Sequence, residues 1–173
     1  MVVWILGLSA SGKTAIGKEV YEQIKSGKEN VVFLDGDMFR DIMGNDLGHT
    51  IQDRRTNAGR ISRFCQYLDS QGIDVVCTVL SIFPDWLKWN RINISEYFEV
   101  YIRVPFEVLL TRETKGLYSS ALAGEKKNVV GVDIEFPEPV YSDLVIDNSA
   151  TVDSFESLAG EIVEAIKINK IEI

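Results

Sequence analysis

The sequence predicts an α/β fold in which helices cover both faces of a five-stranded parallel sheet. Short apolar runs alternate with helical patterns along the chain, which is typical of right-handed βαβ units. A complete G-x-x-x-x-G-K-[ST] motif at residues 7–14 directly follows the apolar run at residues 2–6. A strand that leads through this motif into a helix aims backbone N–H groups at one point, as a phosphate-binding loop does. Together these observations predict a P-loop nucleoside-triphosphate-binding fold.

Five apolar runs predict the strands. Each run is short, and each is followed by polar or turn-forming residues. Because helical segments separate the runs, we expect the strands to pair in parallel and to bring their carboxyl ends to one edge of the sheet. In chain order the predicted strands are residues 2–6, 31–35, 73–80, 97–104 and 143–147.

Five segments with apolar residues at helical spacing predict the helices. The first segment follows the phosphate loop and places Ile16, Val20 and Ile24 on one face. The last segment repeats this spacing between Phe155 and Ile166. The predicted helices lie near residues 12–26, 53–70, 84–94, 105–112 and 153–168.

Residues 115–131 fit neither a strand nor a long helix. Their glycines and mixed polarity predict a mobile lid over the phosphate site. The 173 residues are enough for one hydrophobic core and too few for two comfortable ones. We therefore expect a single P-loop domain over residues 1–173, with the lid at about 115–131.

The composition argues against several partners and locations. A net charge of −8 disfavours a nucleic-acid polymer, which requires a basic face. The apolar runs are far shorter than a bilayer span, and the first strand begins too close to Met1 to leave room for a signal peptide. Cys65 and Cys77 lack the spacing of a metal or redox site and are expected as buried free thiols. We expect a cytoplasmic protein that binds no membrane.

The phosphate loop predicts binding of a nucleoside triphosphate with Mg²⁺. Its two glycines allow a tight backbone path, Lys13 can reach the β and γ phosphates, and the Thr14 hydroxyl can hold Mg²⁺. The residues expected to bind the triphosphate are Gly7, Ser9, Ala10, Ser11, Gly12, Lys13 and Thr14.

Two carboxylates flank a glycine where the second predicted strand ends. Asp35 and Asp37 are expected to project into the cleft of the phosphate loop, one orienting Mg²⁺-bound water and the other accepting the proton of an acceptor hydroxyl. Asp37 is the better candidate for this base. The third strand ends in Ser81 and has no carboxylate there. Binding of the metal is therefore expected from Asp35 and Asp37. Asp35 closing a turn and Asp37 capping a helix is the structural alternative, and it is compatible with a site role.

Cations next to the predicted cleft suggest anion binding. Arg54 and Asn57 fall on the core-facing stripe of their helix, where a charge needs a partner: an anionic substrate or a neighbouring carboxylate. Arg55, in contrast, points away and is expected in solvent. Arg112 and Lys115 precede the lid, where cations can neutralise a transferring phosphate when the lid closes.

Taken together, these motifs resemble the adenylylsulfate (APS) kinase family over nearly the whole chain. That family phosphorylates the 3′-hydroxyl of adenosine 5′-phosphosulfate with Mg-ATP. The matching stretches are the phosphate loop, residues 34–37 with Arg40, residues 45–48, Asp53 and Arg54 with Asn57, and residues 115–118, 123–125, 127–128 and 131–133. The resemblance implies a P-loop kinase fold, ATP and Mg²⁺ as cofactors, a nucleotide as phosphoryl acceptor, and a homodimer.

The sequence departs from the family pattern around the acceptor. The family carries phenylalanines at the positions of His49 and Val129, and these two rings sandwich the adenine of the acceptor. After the third strand an arginine of the family is missing, although Ser81 is kept. These changes favour the same reaction on a different acceptor. The chain also resembles a branch that includes cytidine diphosphoramidate kinases of bacterial capsular polysaccharide synthesis, and the two acceptors stay open alternatives.

The resemblance also implies roles for individual residues. Catalysis is assigned to Lys13, Asp35, Asp37 and Ser81; the metal to Thr14 and Asp35; and Arg112 joins the ATP site. The acceptor is assigned to Asp37, Arg40, His49, Arg54, Asn57, Ser81, Lys115, Leu117 and Val129. Two rival classes are weaker. A GTPase switch would need a guanine-reading Asn-Lys-x-Asp run, which the sequence lacks. A non-catalytic ATP-binding module would leave the intact set of Lys13, Thr14, Asp35 and Asp37 without a use. A non-kinase P-loop NTPase is the remote alternative.

Overall fold

The structure is a computed structural model that describes residues 1–150 and 154–171. Its five strands form one sheet in the order β2-β3-β1-β4-β5, and each neighbouring pair is parallel. The strands are β1 (Val2–Leu6), β2 (Val31–Asp35), β3 (Asp74–Val79), β4 (Tyr97–Arg103) and β5 (Leu144–Asp147). The predicted five-stranded parallel sheet is therefore confirmed.

Seven helices connect or follow these strands in the described part of the chain. They are α1 (Lys13–Lys25), α2 (Gly36–Ile42), α3 (Ile51–Ser70), α4 (Pro84–Asn93), α5 (Phe106–Arg112), α6 (Leu117–Leu122) and α7 (Glu156–Ile171). The five predicted helices are present with ends shifted by a few residues, and the predicted start of the last one at residue 153 lies outside the described residues.

Two short helices differ from the sequence prediction. Helix α6 occupies part of the segment that was expected to be irregular, and α2 begins directly after β2. Asp35, and not Asp37, is the N-cap of α2, because its carboxylate accepts a hydrogen bond from the Asp37 backbone N–H. The alternative in which Asp37 caps this helix was therefore wrong: Asp37 lies inside the first turn, where a negative charge interacts favourably with the helix dipole.

Helices cover both faces of the sheet. On one face, apolar side chains of α1 and α7 pack with alternate residues of β1 and β4, with Ile16 and Ile162 fully buried. On the other face, α2 and α3 pack against Trp4 and its neighbours, and the free thiols of Cys65 and Cys77 are buried there. The sheet is thus buried on both sides, as parallel sheets require. Among the described residues, the helices are all too short or too polar to cross a membrane.

The strand order decides where a ligand site forms. Strand β1 is central, with β3 on one side and β4 on the other, so the loop that leaves β1 lies at the middle of the carboxyl edge. Helix α1 packs very closely on the sheet, because a Cβ at Gly17 would lie 2.2 Å from the Thr78 methyl group. This close approach brings the start of α1 next to the ends of β2 and β3.

Candidate functional site

A cavity of about 840 Å³ runs along the carboxyl edge of the sheet. Its walls come from the phosphate loop, the ends of β2 and β3, the first turns of α3 and the segment after α5. The predicted site residues that line it are Ser9, Ala10, Lys13, Thr14, Asp35, Asp37, Arg40, His49, Arg54, Asn57, Ser81, Arg112, Lys115, Leu117 and Val129. Gly7, Ser11 and Gly12 are not among the lining residues, and their part is to shape the loop.

The phosphate loop is held in a compact shape by its glycines and by β5. A Cβ at Gly7 would lie 2.8 Å from the Ile102 carbonyl oxygen, and Gly12 has a φ of +88°. Asn148, which follows β5, donates a hydrogen bond from Nδ2 to the Ser11 carbonyl across 2.9 Å. The structure therefore adds Asn148 as a support of the loop. Its side chain is buried, and no sequence motif singled it out.

Lys13 is a half-buried cation near the carboxylates of Asp35 and Asp37. Its ammonium donates to the Leu8 carbonyl at 3.2 Å. Burial lowers the pKa of Lys13 below its ordinary value, while the charges of Asp35 and Asp37 act in the opposite direction. The side chain is thereby held inside the cavity, next to the loop that would cradle phosphates.

Asp35 is the point where three elements of the site meet. Its Oδ2 accepts hydrogen bonds from the Thr14 hydroxyl of α1 at 2.9 Å and from the Thr78 hydroxyl of β3 at 2.7 Å. Burial alone would raise the pKa of Asp35, but these bonds, the Asp37 N–H and the Lys13 charge outweigh it and lower the pKa. Asp35 is therefore a carboxylate at neutral pH. Thr78 belongs to none of the motifs and lies within an otherwise apolar strand, so its role was not predicted.

The Thr14 hydroxyl and the Asp35 carboxylate suit a magnesium ion. Both are hard oxygen donors, and Mg²⁺ usually takes one or two protein oxygens, with phosphates and water completing its shell. Within the described residues, no group of three or more His, Cys, Asp or Glu side chains could hold a metal by itself. The donor set thus fits Mg²⁺ that arrives with a nucleotide.

Two groups face the cavity from the ends of β2 and β3. Asp37 is exposed in the first turn of α2, and its carboxylate accepts no hydrogen bond from the described residues. Ser81 has a φ of +48°, and its hydroxyl accepts a hydrogen bond from the Trp4 indole at 2.8 Å. Asn57 lies deeper, with a buried Oδ1 that has no partner among the described residues. Of these groups, the exposed Asp37 carboxylate is directly available to a ligand.

The cations of the acceptor side bind backbone carbonyls. Arg40 donates to the carbonyls of Leu47 and Gly48, at 3.3 and 3.0 Å. Arg54 donates from Nε to His49 and from Nη2 to Asn128, both across 2.9 Å. The carboxylate that was the alternative partner of Arg54 accepts neither of these bonds, and an anionic substrate stays a prediction. Arg54 instead joins the start of α3 to the predicted lid.

His49 and Arg55 are two further side chains near the start of α3. Burial, together with the charges of Arg54 and Arg40, lowers the pKa of His49, so its imidazole is neutral at pH 7. Arg55 is exposed, as expected, but it forms an ion pair with Asp85 and lies over the Phe83 ring.

The predicted lid is anchored at both ends. Near its start, the buried Tyr118 of α6 donates a hydrogen bond to the Ser9 carbonyl of the phosphate loop at 3.0 Å. Near its end, the Asp133 carboxylate accepts from the N–H groups of Asn128 and Val129, at 2.7 and 2.6 Å. The Val129 side chain is buried in the core. The segment therefore covers one side of the cavity with both ends tied to the fold.

The cations before the lid differ in their contacts. The Arg112 guanidinium donates to the carbonyls of Asn148, Ser149 and Ala150, which follow β5. The Lys115 side chain is exposed, while its backbone N–H and that of Leu117 both donate to the Glu113 carboxylate at 2.6 Å. Arg112 thus fixes the loop after β5, whereas the exposed Lys115 side chain lines the cavity.

Comparison with known proteins agrees with this geometry. The family model for adenylylsulphate kinase matches residues 1–147. A cytidine diphosphoramidate kinase of Campylobacter jejuni is 42% identical over 148 residues, covering 86% of each chain. A probable adenylyl-sulfate kinase of Archaeoglobus fulgidus is 36% identical over 146 residues, covering 84% of this chain and 94% of its own.

A solved structure gives the same result for the fold. The Mycobacterium tuberculosis APS kinase CysC, in complex with AMPPNP and APS, superposes with a TM-score of 0.85 at 28% identity and covers 96% of both chains. The family match over residues 1–147 includes the phosphate loop, the paired aspartates and the segment predicted to be a lid. The chain therefore belongs to the adenylylsulphate kinase family of phosphotransferases.

Proposed function

We propose that this protein transfers the γ-phosphoryl group of Mg-ATP to the ribose 3′-hydroxyl of a nucleotide acceptor. The observation that supports this most is the free carboxylate of Asp37, which lines the same cavity as Lys13 and the Thr14–Asp35 pair. A non-kinase NTPase has no need for a second carboxylate that faces the acceptor side.

The residues divide the chemistry between them. Backbone N–H groups of the loop and the Lys13 ammonium would neutralise charge on the transferring phosphate. The N-terminus of α1 would add the positive end of its helix dipole. Thr14 and Asp35 would hold Mg²⁺, which when bound neutralises charge on the β and γ phosphates. Asp37 accepts the proton of the acceptor hydroxyl. The oxygen of that hydroxyl bonds to the γ-phosphorus while the bond from the γ-phosphorus to ADP breaks and ADP leaves.

The acceptor side favours a cytidine nucleotide. The resemblance places adenine-stacking phenylalanines where this chain has His49 and Val129, and the Val129 side chain is buried in the core. Each aromatic stack on a base is worth on the order of 1–3 kcal/mol, so their loss weakens adenine binding. The relative that is a cytidine diphosphoramidate kinase is 42% identical, against 36% for the probable adenylyl-sulfate kinase. We infer cytidine diphosphoramidate as the acceptor, with adenosine 5′-phosphosulfate as the second candidate.

The test measures ADP release from Mg-ATP by the purified protein with each acceptor in turn. Turnover with the cytidine nucleotide, and little with adenosine 5′-phosphosulfate, is the expected result. Preference for adenosine 5′-phosphosulfate would show that His49 and Val129 accept adenine and would move the protein to sulfate activation. Equal ADP release with and without either acceptor would contradict the kinase proposal.

We further propose the properties that the family implies for the whole chain. Residues 1–173 act as one domain, the segment 115–131 opens and closes as a lid, and two copies form a homodimer in the cytoplasm. Light scattering coupled to gel filtration tests the dimer, since a mass equal to one chain at micromolar concentration would contradict it.

A further inference from the structure

Trp4 and Ser81 form a hydrogen bond inside the wall of the cavity. Trp4 lies in the middle of β1, the strand that leads into the phosphate loop, and Ser81 lies just past the end of β3. The indole Nε1 donates to the Ser81 Oγ across 2.8 Å, and both residues line the cavity. This bond joins the strand of the phosphate loop directly to the acceptor side.

The direction of this hydrogen bond is fixed by chemistry. An indole N–H is only a donor, so the Ser81 oxygen must act as the acceptor. The hydroxyl proton of Ser81 then has to find another partner. Among the described residues Ser81 donates no hydrogen bond, so its proton is available to an oxygen of a ligand in the cavity.

The backbone of Ser81 indicates that the hydroxyl has a use. Its φ of +48° is in the left-handed region, which glycine adopts freely and serine adopts at a conformational cost. Residues held in such conformations cluster at ligand sites. If the turn alone mattered, glycine would serve it better. The serine keeps a hydroxyl that points into the cavity.

Trp4 is rigid enough to fix this hydroxyl. Its side chain is 2% exposed, it packs with Val2 and Leu6 on one face of the sheet, and its ring lies against Tyr97. A buried indole with one partner has no room to turn. The direction of the Ser81 hydroxyl is thereby set by the sheet and does not depend on a flexible loop.

We propose that Trp4 is a positioning residue that holds the Ser81 hydroxyl so that it donates to an oxygen of the acceptor nucleotide. This inference rests on the proposed function and deepens it, because it adds a specificity element to the acceptor side only. The ATP side is expected to be independent of this hydrogen bond.

The first experiment replaces Trp4 by phenylalanine, which removes the N–H and keeps an aromatic ring. We expect the acceptor KM to rise about two- to tenfold, the range for one hydrogen bond, with the ATP KM unchanged. Trp86→Phe is the matched control, because the Trp86 Nε1 has no hydrogen-bond partner among the described residues. Equal acceptor KM values for the two variants would overturn the proposal.

A double-mutant cycle separates positioning from packing. If Trp4 acts through Ser81, then adding Trp4→Phe to Ser81→Ala changes the acceptor KM no further than Ser81→Ala alone. Independent, additive effects of the two changes would show that Trp4 only packs. Ser81→Ala also covers the case in which Trp4→Phe fails to fold, since unchanged acceptor KM in Ser81→Ala overturns the proposal by itself.

A binding measurement tests the positioning role of Trp4 separately from the proposed kinase activity. The Trp4 indole N–H resonance is followed by NMR in the wild type and in Ser81→Ala while cytidine diphosphate is added. We expect the resonance to shift with nucleotide in the wild type and to stay in place in Ser81→Ala. A wild type that shows this shift but no turnover with either acceptor would contradict the proposed function alone. An indole resonance that ignores nucleotide in the wild type would contradict the positioning role.

Discussion

The Thr14 hydroxyl donates to Asp35 Oδ2 across 2.9 Å and so joins the first turn of α1 to the end of β2. Thr78 donates to the same oxygen from β3, at 2.7 Å. A residue that would hold the metal is thus oriented from two neighbouring elements before any ligand binds. Such preorganisation is what phosphoryl transfer needs, because its catalysis depends on position and charge.

The ionisation of Asp35 should be visible in the acid stability of the fold. Its pKa is lower in the folded protein than the ordinary 3.8, so its stabilising contribution is complete above about pH 4 and is lost as pH falls through the folded-state pKa. Calorimetry of Asp35→Asn between about pH 2 and pH 5 should therefore show a smaller fall in Tm on acidification than the wild type. Parallel profiles would mean that this carboxylate is not coupled to folding.

Lys13→Ala should remove phosphoryl transfer and leave the fold intact. We expect turnover to fall on the order of 10²- to 10³-fold, the usual cost of losing a preorganised charge-stabilising group. Tm should change little, because the desolvation of the half-buried Lys13 ammonium opposes its attraction to Asp35 and Asp37. Lys18→Ala, an exposed change on the same helix, is the control for both measurements. Undiminished turnover in Lys13→Ala would contradict the assignment of this loop.

Asp37→Asn distinguishes a base from a metal ligand. With Asp37 as the base, turnover should fall about 10²- to 10⁴-fold while the Kd for Mg-ATP, measured by calorimetric titration, changes little. Asp41→Asn is a matched change further along α2, where Asp41 is exposed and hydrogen-bonds to Asn45. Loss of Mg-ATP affinity in Asp37→Asn would make this residue part of the metal site.

The sequence was sufficient for the elements that have a long or local pattern. Each predicted strand is one short apolar run, and the phosphate loop and the aspartate pair are short local motifs. The structure brings the loop and the aspartates together at the carboxyl edge of the sheet. Helix α6 was missed because six residues are too few to show a helical period, and the seven-residue α2 was expected only as the structural alternative to a site role.

The remaining contacts depend on strand order and on backbone acceptors. Thr78 and Asn148 support the site only because β3 lies beside β2 and β5 ends near the loop. The apolar pattern of the sequence does not predict this strand order. The partners of Arg54 are backbone carbonyl oxygens. Because every residue has one, a sequence motif cannot predict which carbonyl accepts the bond. Trp4 was treated as one more apolar residue of β1, because its contact with the Ser81 hydroxyl depends on β3 lying beside β1.

His49→Phe should shift acceptor preference toward adenine. One stacking ring is worth about 1–3 kcal/mol, so the KM for adenosine 5′-phosphosulfate should fall at least about fivefold relative to that for the cytidine nucleotide. His49 is exposed, so the larger ring does not have to fit into the core, whereas the buried Val129 offers no such room. His49→Ala removes the imidazole without adding a ring and should not lower this KM. The same fall in both variants would show that stacking is not its cause.

Arg54→Ala should release the end of the predicted lid. The Nη2 donor of Arg54 holds the Asn128 carbonyl at 2.9 Å, next to two exposed lysines at residues 126 and 127. A hydrogen bond from a charged donor is worth about 1.5–3 kcal/mol, so trypsin should cleave at these lysines roughly 10- to 100-fold faster. Arg55→Ala is the matched control, because Arg55 pairs with Asp85 and donates no hydrogen bond to described residues of the segment 115–131, and each variant loses one tryptic site. Equal cleavage rates at residues 126–127 would show that Asp133, and not Arg54, is the anchor.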